Sequence, residues 1–300
     1  MKPSHRTLNK LLLMTKDELV NLLDTHSTSR GEHSWVFLPL KPKGKPCLVT
    51  HIDTVWDKER GPKEKFLIED AKKGLIYSPQ GLGADDRAGV YALLHLYYQL
   101  PSHLRPILLF TDLEESGGGG AIEASEIFHE DLSHSTHLIE LDRRGGRDCV
   151  FYSGEPLEYR EYIESFGFRE GRGSFSDISI LGPSLGLCST NLSIGYYNEH
   201  TKSEYLSLKA MNSTIQKVQK LLSLGDKKVW ELLPCPESTP LGREWWDLEG
   251  LDLEGLDPQE GIQTCPKCEE EFTKEEFNHY GTCPMCGSLI YGWEYKERYE

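Results

Sequence analysis

The chain has 300 residues, 38% of them apolar and 27% charged, an ordinary balance for a globular protein of one sizeable domain plus a small one. A formal net charge of −15 works against non-specific attraction to nucleic acid or an anionic membrane, although an acidic chain can also gather carboxylates around cations. No apolar stretch approaches membrane-spanning length, and MKPSHRTLNKLLLMTKDELV meets charges too soon for a signal peptide, so the expected location is the cytoplasm, where disulfides are rare.

The first segment spaces its apolar residues by three and four in LNKLLLM and DELVNLLDT, which predicts helix. WVFLPL and CLVTHI predict strands joined by the turn KPKGKP. The second of these strands ends in THIDTV, residues 50–55, where His51 and Asp53 share one face of an extended chain. Such a pair is either a hydrogen-bonded strand end or a metal-ligating histidine oriented by the acid. Next, GLGADDRAGV sets Asp85 and Asp86 at the start of a helix in AGVYALLHLYYQL, where Asp85 could serve as a cap.

RPILLFTDL predicts a strand, followed by Glu114 and Glu115 in EESGGGG and a helix around AIEASEIF. HLIELD, which ends at Asp142, and CVFYS predict two more strands, and LEYREYIESFGF predicts a helix. LCSTNLSIGYY predicts a strand, His200 follows it in NEHTKSEY, and SLKAMNSTIQKVQKLLSL is an amphipathic helix that closes the domain. This alternation predicts a three-layer α/β/α sandwich around a mixed, mostly parallel sheet, with a site at the carboxyl ends of its strands. The expected division is a catalytic domain over 1–226, an acidic Pro/Gly linker over 227–262 and a small zinc ribbon over 263–300. Trp230, Trp245 and Trp246 indicate that part of the linker packs.

The ribbon rests on CPKC, residues 265–268, and CPMC, residues 283–286, fourteen residues apart. Cys265, Cys268, Cys283 and Cys286 have the spacing of a closed structural zinc site. The glutamate-rich EEEF and KEEF beside them suit a protein contact better than nucleic acid. Cys47, Cys149, Cys188 and Cys235 read as core or linker thiols.

Between residues 51 and 200 the motifs HID, GADDRAG, EES, LD and EH occur in order, and carboxylates converging on one site require cations. The ordered set resembles the clan of co-catalytic zinc exopeptidases, which includes secreted bacterial leucyl aminopeptidase, peptidase T, glutamyl aminopeptidase and the glutamate-type carboxypeptidases. The resemblance implies that His51 and Asp142 hold one zinc, that Glu115 and His200 hold the other, and that Asp85 bridges both. It implies further that Asp53 orients His51 and that Glu114 is the general base. Cobalt or manganese could replace the zinc pair.

Only 32 residues separate Asp53 from Asp85 and 58 separate Asp142 from His200, so the clan's inserted domains are missing. The implied protein is a compact aminopeptidase acting on small peptides. The same machinery could cleave another amide, such as an N-acyl amino acid. A reading of another class is an inactive peptidase-like module docked through its ribbon. For substrate contacts, Asp177 in GSFSDIS, near Ser174, could hold an amine, or Ser176 or Asp177 could cap a helix. Tyr196 or Tyr197 could donate to an oxyanion, and Arg87 or Arg143 could pair with a surplus or substrate carboxylate.

Overall fold

The computed structural model describes residues 4–57 and 65–232, and the backbone of 262–264 and 271–273. The chain divides into two compact units, Met1–Pro234 and Cys235–Glu300.

Two helices open the first unit. α1 (His5–Leu13) starts at Ser4, whose hydroxyl accepts from Thr7 N, and α2 (Lys16–His26) starts with a reciprocal capping box between Thr15 and Glu18. Then come β1 (Ser29–Arg30), β2 (Ser34–Phe37), β3 (Cys47–His51), β4 (Ile68–Asp70), β5 (Leu75–Tyr77), α3 (Ala84–Gln99) and β6 (Ile107–Thr111). α4 (Gly119–Ile127), α5 (His129–Leu132), β7 (Leu138–Arg143), β8 (Asp148–Val150), α6 (Leu157–Glu164) and β9 (Arg169–Glu170) follow. The unit ends with α7 (Ile178–Leu185), β10 (Ser189–Ser193), β11 (Tyr196–Tyr197), β12 (Tyr205–Ser207) and α8 (Leu208–Ser223).

The main sheet runs β1-β2-β6-β3-β7-β10-β8-β9, and its central strands β6, β3, β7 and β10 are parallel. Their side chains alternate between two cores, as the period of a strand requires. Leu48, Leu108 and Phe110 enter the core shared with α1, α3 and α8, whereas Cys47, Val49, Ile107 and Leu109 enter the core under α4, α5 and α7. Helices therefore cover both faces, giving the expected three layers. The turn KPKGKP connects β2 to β3 along the chain, but β6 lies between them in the sheet.

LCSTNLSIGYY is not one strand. It breaks at Gly195, whose φ is +104° and where a Cβ would sit 2.7 Å from Met211 N and 3.0 Å from Ser207 O. Beyond that point β11 joins a second, antiparallel sheet of order β11-β12-β5-β4.

The chain past α8 also packs. Trp230 is buried, its ring centroid 5.3 Å from that of Tyr159 and 5.1 Å from that of Tyr162. Its N–H donates to Thr136 O, and its carbonyl accepts from Cys188 N. Cys47, Cys149 and Cys188 are buried free thiols. No helix among the described residues is long and apolar enough to cross a membrane. In the second unit, Ile262–Thr264 pairs antiparallel with Glu271–Thr273. Cys235, Trp245, Trp246 and the four ribbon cysteines lie outside the described residues.

Candidate active site

Parallel pairing of β3 with β7 sets Val49 opposite Glu140, so two residues further along His51 comes level with Asp142. His51 Nε2 lies 3.3 Å from Asp142 Oδ1. On the other side β3 pairs with β6, His51 faces Thr111, and the chain beyond Thr111 turns through Leu113 (φ +65°) into Glu114 and Glu115. α3 brings in the fourth group: Asp85 Oδ1 lies 3.1 Å from His51 Nε2. Its other oxygen, Oδ2, lies 3.1 Å from His200 Nε2, and that nitrogen is 3.0 Å from Glu115 Oε1. Three sets of donor atoms result, each with its atoms within 4.8 Å of one another: His51/Asp85/Asp142 and Asp85/Glu115/His200, which share Asp85, and His51/Glu114/Glu115.

Asp53 links the pieces. Its Oδ1 is 3.3 Å from His51 Nδ1 and accepts from Glu114 N at 3.2 Å, while Oδ2 accepts from Glu115 N at 3.3 Å. One carboxylate thus holds the backbone of the Glu114–Glu115 turn against the imidazole at the end of β3. Asp86, joined to Asp85 by a cis peptide bond, points elsewhere: it accepts from the Thr50 hydroxyl and from Gly89 N. Only the first acid of GADD faces the two histidines.

The electrostatics follow from crowding. Burial raises the Glu114 carboxyl to about 8, with Asp142, Asp85 and Glu115 adding to the shift and His51 opposing it. Burial raises Asp142 to about 7, again against His51. Burial also acts to raise Asp85, but contacts with His200 and His51 outweigh it and hold that carboxyl below its ordinary range. His200 rises to about 11 through its contacts with Asp85 and Glu115. For His51, burial would lower the imidazole, yet Asp142, Asp53 and Asp85 together hold it well above its ordinary value. Among the described residues, every ion pair of Asp85, Asp142 and Glu115 is with His51 or His200.

The remaining candidates lie around this centre. Asp177 begins α7 without a side-chain cap; it is fully buried, accepts from the Thr111 hydroxyl, and leaves Oδ1 without a hydrogen-bond partner among the described residues. Ser176 donates to Glu140. The Tyr196 hydroxyl lies 2.9 Å from Asp142 O and 3.1 Å from Asp142 Oδ1, so its proton is engaged with a site residue. Tyr197 stacks on Tyr205 and lines a depression with Arg144, Asn198 and Glu199. Arg143 donates to Arg172 O, and Arg87 is buried with Nη2 3.8 Å from Asp57. Glu204 is missing from the sequence reading. It accepts from the amides of Gly83, Ala84 and Asp85, but as one acid in a polar loop nothing in the sequence marks it.

No family model matches the chain, and no curated protein matches it by sequence. Solved structures do match. Aminopeptidase PepT from Bacillus cereus is 14% identical over 73% of this chain and 97% of its own, with a TM-score of 0.55. A tripeptidase from Staphylococcus aureus is 16% identical over the same shares, with a TM-score of 0.54. The chain has the fold of these peptidases. The TET1 peptidase of Pyrococcus horikoshii, which can assemble into a tetrahedron or a large octahedral shell, is 13% identical over 72% of this chain and 98% of its own, at a TM-score of 0.52.

Proposed function

We propose that the chain is a two-metal amide hydrolase, an aminopeptidase acting on small peptides. The observation that carries this reading is the double triad with Asp85 common to both halves. Imidazole nitrogen and carboxylate oxygen suit zinc, and with no thiolate in the set they suit cobalt or manganese as well. The fit is also electrostatic. Buried carboxylates held together by two histidines alone would exchange protons for divalent cations at little structural cost. His51 and Asp142 would hold one ion, Glu115 and His200 the other, and Asp85 would bridge.

Bound there, the two cations would supply Lewis acidity to the scissile carbonyl and to the attacking water. The chain's own residues do the rest. Glu114, beside the donors but outside the shared sets, takes the water proton and returns it to the leaving amine. Its raised pKa in the cation-free protein would fall as cations neutralise the surrounding acids. Asp53 keeps His51 in the tautomer that offers Nε2 to the ion, and it anchors the backbone from which Glu114 reaches the water. Tyr196 steadies Asp142. Cys265, Cys268, Cys283 and Cys286 would hold a third, structural zinc, and the cytoplasm is the compartment that suits free thiols.

The decisive experiment screens the zinc- or cobalt-loaded protein against amino-acid anilides, dipeptides, tripeptides and N-acyl amino acids. Release of an N-terminal residue from peptides is the expected result. Turnover confined to N-acyl amino acids would keep the machinery and change the substrate, and no turnover with confirmed metal would overturn the reading.

A further inference from the structure

Glu204 is 1% exposed, yet its carboxylate receives four N–H donors. Oε2 accepts from Gly83 N at 2.8 Å and from the Trp56 indole at 3.3 Å. Oε1 accepts from Ala84 N at 2.7 Å and from Asp85 N at 3.1 Å. Three successive amides of the turn that introduces Asp85 therefore converge on one carboxylate from a distant part of the chain. The turn requires such an acceptor. Gly83 precedes α3 in a left-handed conformation (φ +62°) and has no side chain to cap the helix, so the first amides have no partner of their own. An ionised carboxylate is the strongest acceptor a side chain can offer them.

The backbone of Glu204 is tied to the other histidine. Its N–H donates to Thr201 O at 3.0 Å, closing the turn after His200, and the Thr201 hydroxyl donates to Asn198 O at 2.7 Å. Asn198 and His200 both have positive φ, near +57° and +60°, so this turn adopts a conformation it would not hold without such closures. β12 begins at the next residue and fixes Glu204 to the second sheet. A single residue thus grips the Asp85 turn with its side chain and the His200 turn with its backbone, while touching neither donor atom.

We propose that Glu204 is a positioning residue that sets Asp85 against His200, and so governs the affinity of the site for the cation those two share with Glu115. The inference rests on the two-cation reading above. The test uses the full chain and cobalt(II), followed by its visible absorption and by calorimetry, with peptide turnover measured in parallel. In Glu204→Gln the carboxamide turns an N–H group toward other N–H donors. The cation shared with His200 should weaken by about 10- to 100-fold, and the other, which also uses Asp85, by less. The value of kcat should fall, with KM within about twofold of the parent's, because Glu204 meets no substrate. Glu204→Asp keeps the charge one methylene short and should fall between. Trp56→Phe removes the one donor outside the Asp85 turn and should leave both affinities unchanged.

A folded Glu204→Gln chain with both affinities at the parent's values would overturn the proposal. If that variant does not fold, Glu204→Asp is read in its place, and parental affinities there overturn it equally. A parent chain that takes up no cation pair would instead defeat the two-cation reading, a failure visible before any variant is made.

Discussion

Asp85 Oδ2 stands 3.1 Å from His200 Nε2, although Asp85 heads a helix packed on the main sheet and His200 sits in a turn leading into the smaller one. Because Oδ1 of the same carboxylate meets His51, replacing Asp85 should affect both ions, whereas its neighbours should affect one each. Apart from the zinc proposed for the ribbon cysteines, Asp142→Asn and Glu115→Gln are each expected to retain one tightly held ion, and Asp85→Asn to weaken both. Elemental analysis after dialysis checks this. Two ions retained in Asp85→Asn would remove it from the bridging role.

Glu114→Gln separates proton transfer from cation binding. Glu114 stands outside both sets that share Asp85, so the variant should keep its ions and its fold. Turnover should drop by about two to four orders of magnitude, with substrate affinity nearly unchanged. A stopped assay on metal-verified protein decides, and near-normal turnover would mean that another group moves the proton.

Stability of the cation-free protein should fall as pH rises. Glu114 is raised from 4.5 to about 8 and Asp142 from 3.8 to about 7, so these carboxyls ionise in the unfolded chain at a lower pH than in the folded one. They penalise folding progressively above about pH 4 and in full beyond pH 8. His200 is raised from 6.5 to about 11; its contribution is fully present below 6.5 and is lost toward 11, in the same direction. Asp85 and Asp53, both lowered, stabilise above their unfolded values and lose that effect as acid protonates them. The cation-free melting temperature should therefore peak between about pH 4 and 6.5 and decline toward 8. Cation binding near pH 7 should release protons, seen as a buffer-dependent heat in calorimetry. A melting temperature that climbs from pH 6 to 8 would contradict this account.

Trp230→Ala tests where the first unit ends. The indole packs on Tyr159 and Tyr162, and its backbone bridges Thr136 and Cys188, which precede the amino ends of β7 and β10, whereas Asp142 lies near the carboxyl end of β7. Truncation should cost about 3–5 kcal/mol, as for other buried aromatic side chains, while cation affinity stays at the parent's level. Chemical denaturation measures the loss. A cost near zero would show that the segment beyond α8 merely rests on the surface.

What could be read from the sequence follows a physical divide. His51, Asp85, Glu114, Glu115, Asp142 and His200 were legible as groups at strand ends or in the turns beside them, while their separate roles came from the resemblance alone. The central strands were legible because they are buried on both faces and read as continuous apolar segments. The second sheet was not. Ile68–Asp70 and Leu75–Tyr77 are three residues each, shorter than any window in which a period can be recognised. LCSTNLSIGYY read as one strand because its composition does not change where the chain leaves the main sheet; Gly195 was the one available signal. Glu204 could not be found, since its value lies in three amides more than a hundred residues earlier in the chain.

The order in which the donors occur along the chain has a bearing on its synthesis. His51, Asp85 and Asp142 lie on or beside β3, α3 and β7, and β3, β6 and β7 are contiguous in the sheet, so their pairing does not wait for β10. His200 comes after β10 and β11, in a turn closed by Glu204 and secured by a sheet whose β12 is made later still. A chain emerging from the ribosome N-terminus first would thus bring His51 level with Asp142 before it had made either His200 or the Glu204 that receives the amides of the Asp85 turn. Both groups share Asp85, so each would wait for the last strand of the smaller sheet before it could close on a cation.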